Sequence, residues 1–218
     1  MFYKTQQGLN ALHLASSYGH EKTVGFLLEN KSDINVKNKK GWSSLMIASE
    51  KGHVNTVELL LLKKAETDNT DEKGWNALLL ATNNGHLSTV EALLKNNCNL
   101  SCANNLGDNA LTLASTKGYT NIVELLLKYK ADIDFKNHNE FTSLMLSTLN
   151  GHVSTVEILL KHDAKPFVIN KDGKNAFSIA VESGNIDIFR LFFNKNAGDF
   201  SSSPYAKNSI LLTSFCGK

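Results

Sequence analysis

The chain has 218 residues, 42% of them hydrophobic and 20% charged, with a formal net charge of +2. So small a positive excess argues against a dedicated nucleic-acid binder, whose footprint is a strong basic patch. The polar N-terminal residues do not read as a secretory signal, and no apolar run approaches the ~18 residues of a membrane span, so a cytoplasmic protein without membrane insertion is expected.

Glycine recurs at a step of 33: Gly8, Gly41, Gly74 and Gly107, then Glu140 in the fifth place and Gly173 in the sixth. A second series keeps the same step unbroken, from Gly19 through Gly52, Gly85, Gly118 and Gly151 to Gly184. A period of this length marks a solenoid of small stacked units, which buries its core between neighbours and exposes one long face. The expected units run approximately over 5–37, 38–70, 71–103, 104–136, 137–169 and 170–202, with a partial seventh at 203–218, in a single domain spanning 1–218.

Residues 1–8 begin midway through a turn, so the first unit has no full arm before it. Its first helix follows Asn10 and stops at Gly19, and its second carries the apolar stripe Val24, Leu27 and Leu28. An extended arm, Asp33-Ile34-Asn35-Val36, leads to Asn38 and the next turn. The second unit repeats the plan: Ser43 as N-cap type, Leu45 and Ala48 on one helical face, Gly52 as a left-handed stop, His53, then Val57, Leu60 and Leu61. Asn76, Asn109, Thr142, Asn175 and Asn208 continue the helix starts, and Asp71, Asn104, Asn137 and Asn170 continue the turns. The second-helix stripe continues as Val90-Leu93-Leu94, Val123-Leu126-Leu127, Val156-Leu159-Leu160 and Phe189-Phe192-Phe193. Alanine recurs at 15, 48, 81, 114 and 180 with Ser147 in the fifth place, a small-residue column suited to close helix approach.

The 33-residue length, the Gly-His step, the Val-x-x-Leu-Leu helix and the Ala131-Asp132-Ile133-Asp134 arm resemble the ankyrin-repeat family over nearly the whole chain. The resemblance implies an all-α solenoid of stacked helix–turn–helix units with short β-turn arms and a concave groove. Two departures predict modest stability. The family's Thr-Pro-Leu-His helix start reads Asn-Ala-Leu-His at 10–13, Ser-Ser-Leu-Met at 43–46 and Asn-Ala-Leu-Leu at 76–79, without the pre-organising proline. Lys31, Lys64, Asn97, Lys130, Asp163 and Asn196 take the family's usual glycine after the second helix. A third weak point is expected in the fifth unit, where Glu140 stands at a glycine position.

No Gly-rich phosphate loop, nucleophile elbow or His-Glu-x-x-His motif occurs. His20, His53, His86 and His152 fall one to a unit; stacked helices stand roughly 8–10 Å apart, whereas zinc ligands lie about 2 Å from the ion. Loop hydrogen bonding is the expected role of these histidines. Cys98, Cys102 and Cys216 are no disulfide framework and suit a reducing compartment; Cys98 replaces the arm alanine and reads as a small buried hydrophobe. Glu58, Glu91, Glu124 and Glu157 read as a solvated helix face. No catalytic residue, metal or cofactor is expected.

The residues just after the turn glycine form the column Leu9, Trp42, Trp75, Asp108, Phe141 and Lys174. In the ankyrin family this position faces the groove, so the resemblance implies partner contacts. Trp42, Trp75 and Phe141 are expected to form an exposed aromatic row, since aromatic side chains dominate binding hot spots. Asp108 of the same column, the tip residues Lys39, Lys40, Glu72 and Lys73, and the inner-helix residues Tyr18, Glu50, Lys51, Asn83 and Lys117 complete the candidate surface. The function implied is non-enzymatic recognition of a partner protein or peptide. The alternative is a targeting or regulatory segment of a larger protein such as an enzyme or channel.

Overall fold

The computed structural model describes residues 5–195; the expected seventh unit at 203–218, its helix start at Asn208, and Asn196 lie outside them. Among the described residues twelve helices follow one another in pairs: α1 (Ala11–Ser17) with α2 (Glu21–Glu29), α3 (Ser44–Lys51) with α4 (Val54–Leu62), α5 (Ala77–Asn83) with α6 (Leu87–Lys95), α7 (Ala110–Lys117) with α8 (Thr120–Lys128), α9 (Ser143–Leu149) with α10 (Val153–Lys161), and α11 (Ala176–Ser183) with α12 (Ile186–Lys195). The first helix of each pair packs on the first helix of the next, making an inner row; the second helices make an outer row in the same way. The arms are turns, not strands: the described residues contain one isolated bridge, between Ala103 and Asn109.

Local chemistry starts each inner helix. Asn10, Ser43, Asn76, Asn109, Thr142 and Asn175 have extended backbone, and each side-chain oxygen accepts the backbone N–H of the residue three positions on. Such a cap stabilises a helix by about 1 kcal/mol, which offsets the absent proline. The periodic apolar positions then form one continuous core. Leu12, Leu45, Leu78, Leu111 and Leu144 are buried between pairs, as are Val24, Val57, Val90, Val123 and Val156 from the outer row. Ala48, Ala81 and Ala114 are fully buried, and Ser147 takes the same place with its hydroxyl donating to the Leu144 carbonyl at 3.1 Å. The last stripe departs from expectation. Phe192 is buried and Phe189 partly so, but Phe193 is 43% exposed, because no described helix pair stacks beyond α12.

The outer helices end in left-handed residues that are not glycine: Lys31, Lys64, Asn97, Lys130 and Asp163 have φ between 57° and 66°. The amides that follow show why the conformation is required. Lys64 N–H reaches the Leu61 carbonyl and Ala65 N–H the Leu60 carbonyl, both at 2.9 Å, so the reversal satisfies the last helical carbonyls. Glu140 likewise has φ 60° at its turn, with an ion pair to Lys136 at 3.1 Å. A side chain in this region costs about 1–2 kcal/mol. Each change releases about 1–2 kcal/mol but costs about 0.5–1 kcal/mol for the extra freedom of glycine in the unfolded chain, so replacing Lys31, Lys64, Lys130 and Glu140 together by glycine is expected to raise stability by about 2–4 kcal/mol, since separated sites add. Thermal unfolding should shift upward by about 10 °C; an unchanged midpoint would mean that these turns carry no strain.

Candidate groove between turn tips and inner helices

Five of the six described turn tips are organised by one Asn or Asp side chain; at the first, the Thr5 hydroxyl accepts the Leu9 N–H at 3.1 Å. Asp71 Oδ1 accepts the backbone N–H of Lys73 and of Trp75, each at 2.9 Å, while Asp71 N–H closes the turn onto the Trp75 carbonyl. Asn38, Asn104, Asn137 and Asn170 repeat this pattern at their own tips. One residue before the close of the Asp71 turn the chain runs against the next tip. A Cβ on Gly74 would stand 2.8 Å from Asn105 Oδ1 and 3.0 Å from Asn104 Cα, so this glycine is fixed by close approach as well as by its φ of 77°.

The tip geometry corrects the expected exposed aromatic row. Trp42, Trp75 and Phe141 are each half-buried and packed against the core. The Trp42 indole N–H donates to Asp71 Oδ2 at 2.9 Å, a bond from one tip to the next. Asp108, in the same column, accepts the side-chain N–H of Asn137 at 2.8 Å. Trp42 and Asp108 are thus tied to the following tip, and only part of each ring in the column remains open.

The open parts of Trp42 and Trp75 face a groove of about 500 Å³ between the second and third tips and the inner helices α3 and α5. Lys39, Lys40, Trp42, Glu50, Glu72, Lys73, Trp75 and Asn83 line it, together with Asp71, Leu80 and Asn84. Asp108, Phe141, Tyr18, Lys51 and Lys117 do not. Tyr18 is 69% exposed and stacks on His20 with ring centroids 5.8 Å apart, Lys51 pairs with Glu50 at 3.2 Å, and Lys117 is exposed in the last turn of α7. Sequence reasoning missed Leu80 because it is 6% exposed and shares the apolar pattern of the core. It missed Asp71 as a wall residue, although its place in the Asn/Asp turn column was visible.

The groove is mixed in charge but uneven. Asp71 spends both oxygens on the indole and on backbone amides, and Glu50 faces Lys51. Among the described residues no carboxylate lies within salt-bridge distance of Lys39, Lys40 or Lys73. The Lys40 ammonium instead sits 6.0 Å from the Trp42 ring centroid, within reach of a cation–π attraction.

The periodic histidines have a structural task. His53 Nε2–H donates to the Ser17 carbonyl and His86 Nε2–H to the Glu50 carbonyl, both at 2.9 Å, and His152 Nε2–H to the Thr116 carbonyl at 3.0 Å. Each bond ties a pair to the pair before it, and the imidazole packs against the preceding loop glycine. His20, in the first pair, is exposed instead. Cys98 is 7% exposed, and burial pushes its thiol up to about 12. Burial also raises Cys102, so both thiols are protonated at neutral pH and poor nucleophiles.

With this architecture described, comparison with known families gives a match to ankyrin repeats (three copies) over residues 2–71, 45–137 and 130–202. The chain belongs to the ankyrin-repeat family. Ankyrin repeats generally mediate protein–protein interaction, and the fold is typically a non-enzymatic scaffold. Comparison with curated proteins gives no match. No helix among the described residues is long and apolar enough to cross a membrane.

Proposed function

We propose that the chain recognises a partner protein or peptide in the groove between the second and third turn tips and helices α3 and α5. One observation carries the reading: two half-open tryptophans and three lysines, none ion-paired among the described residues, converge on the same groove. Its chemistry favours a segment that sets carboxylates opposite Lys39, Lys40 and Lys73 and an apolar side chain over the tryptophan faces. The lysines are exposed, so they chiefly speed association and set specificity. The cytoplasm is the proposed setting, supported by the free thiols of Cys98 and Cys102.

Selection from a displayed random-peptide library tests this directly. The wild-type chain is expected to enrich sequences that combine Asp or Glu with an aromatic or aliphatic residue. The Lys39→Glu/Lys40→Glu/Lys73→Glu chain should bind the enriched peptides at least about tenfold more weakly at low salt, with the difference shrinking as salt screens the charges. Enrichment without acidic residues, or binding unmoved by the charge reversal, would remove this groove as the site.

A further inference from the structure

Three kinds of polar rung tie neighbouring helix pairs, and each recurs along the stack. At the tips, bonds such as Lys39 N–H to the Gln7 carbonyl and His138 N–H to the Leu106 carbonyl run from one turn to the next. At the loops, His53, His86 and His152 reach back to the preceding pair. At the arms, Asn35 accepts from Glu66 N–H, Asp68 from Asn99 N–H and Asp134 from Lys165 N–H, at 3.0–3.1 Å.

The junction between the third and fourth pairs keeps only the tip rung, where Asn105 bonds the Lys73 carbonyl through its backbone and the Glu72 carbonyl through its side chain, both at 2.9 Å. Tyr119 stands in the histidine column. Its ring covers Gly85, but a phenol has no ring N–H to offer the preceding loop, and among the described residues its side chain makes no hydrogen bond across the junction. Ser101 stands in the arm column where Asn or Asp accepts elsewhere; its shorter side chain makes no bond to the Asp132 amide. The outer helices α6 and α8, like α2 and α4, touch more sparingly than α4 and α6 or α10 and α12 do. A groove of about 320 Å³ opens at the same point, between Gly85 and Leu87 on one side and Tyr119 and Ile122 on the other. The fifth junction also lacks a histidine, Asn185 taking its place, has Phe167 in its arm column, and keeps a long tip bond from Lys171 N–H to the Asn139 carbonyl at 3.5 Å. There an aromatic cluster of Phe167, Phe177, Phe189 and Phe192, with centroids 5.6–6.2 Å apart, consolidates the last pair.

We infer that the solenoid is two blocks, pairs one to three and pairs four to six, hinged between Gly85 and Tyr119 with the Asn105 tip as pivot. In a stacked array, stability is a sum of unit and nearest-neighbour terms, so an interface stripped of two rungs out of three, with no aromatic cluster to replace them, is where cooperativity breaks. Opening on the loop side swings the groove that holds Trp42 and Trp75 relative to Phe141, which lies beyond the hinge. A partner spanning both blocks would select one hinge angle. This inference rests on the stacking geometry and stands whether or not the groove binds as proposed.

Both tryptophans lie in the first block, which makes the test direct. In a urea titration of the full chain, tryptophan fluorescence follows the first block and far-ultraviolet circular dichroism follows both. The wild type is expected to show separated transitions, and the Ser101→Asp/Tyr119→His chain, which restores both missing rungs, should bring them together. Native-state hydrogen exchange on the unaltered chain gives a second measurement, with amides of 11–95 and of 110–195 falling into two opening classes. Coincident transitions with a single exchange class in the wild type would overturn the inference, as would a separation that persists unchanged in a folded double variant.

Discussion

Gly52→Ala is expected to destabilise the chain by about 3–5 kcal/mol, far more than its half-buried loop position suggests. Two causes combine. The residue has φ 73°, and the added methyl group would stand 2.6 Å from His86 Nδ1. The left-handed backbone alone costs about 1–2 kcal/mol for a residue with a side chain. Displacing the imidazole adds the loss of its bond to the Glu50 carbonyl, about 0.5–1.5 kcal/mol, and an overpacking cost of about 1–3 kcal/mol. Gly118→Ala should behave alike, since His152 Nδ1 is also 2.6 Å from that site. Gly184→Ala is the internal control: φ is 65°, but no described atom lies within 4 Å, so only the backbone term applies. Urea denaturation of the three variants measures the difference. Equal losses at Gly52 and Gly184 would show that the histidine contact does not dictate the glycine.

Trp42→Ala is expected to lower both folding stability and partner binding, by about 2 kcal/mol or more in each case. A fully buried Trp→Ala change costs about 3–5 kcal/mol, and this ring is half-buried against the core, so a smaller folding loss follows. Trp42→Phe separates the contributions. It keeps most of the packed ring and deletes only the N–H that Asp71 accepts, for a loss of about 1 kcal/mol, the usual scale of a hydrogen bond. The tip lysines provide the contrast, because substitutions of exposed residues outside the core usually change stability by less than about 0.5 kcal/mol. Binding deficits of the lysine variants therefore report on the groove directly, whereas those of Trp42→Ala must be measured beside its unfolding curve. A Trp42→Ala chain of unchanged stability would mean that the ring makes no structural contribution.

The thiols offer a simpler check on burial. With its pKa pushed up to about 12, Cys98 carries almost no thiolate at pH 8. A water-soluble disulfide reagent is expected to leave Cys98 unmodified in the folded chain and to modify it on unfolding. Rapid native modification would place that side chain in contact with solvent.

Much of this architecture was legible in the residues because ankyrin stacking repeats short-range chemistry. The caps at Asn10, Ser43, Asn76, Asn109, Thr142 and Asn175 act over three residues, and the Asn/Asp tips act over two and four. The left-handed stops at Lys64 and Lys130 follow from the helix termini they close. Such interactions lie within one unit, so a 33-residue period displays them directly. The bonds between units were not legible in the same way. Trp42 meets Asp71 across 29 residues, and His86 meets Glu50 across 36, so neither distance equals the period. Membership of a column says that residues are equivalent; it does not say how far each one is covered by the next unit. The spacing of adjacent tips decides that cover. It turned an expected exposed aromatic row into half-buried rings, gathered eight of the expected site residues around one groove, and left Asp108 and Phe141 outside it. Only the stacked structure, where neighbouring backbones come close enough to share hydrogen bonds, shows which side chains hold the units together and which stay open to solvent.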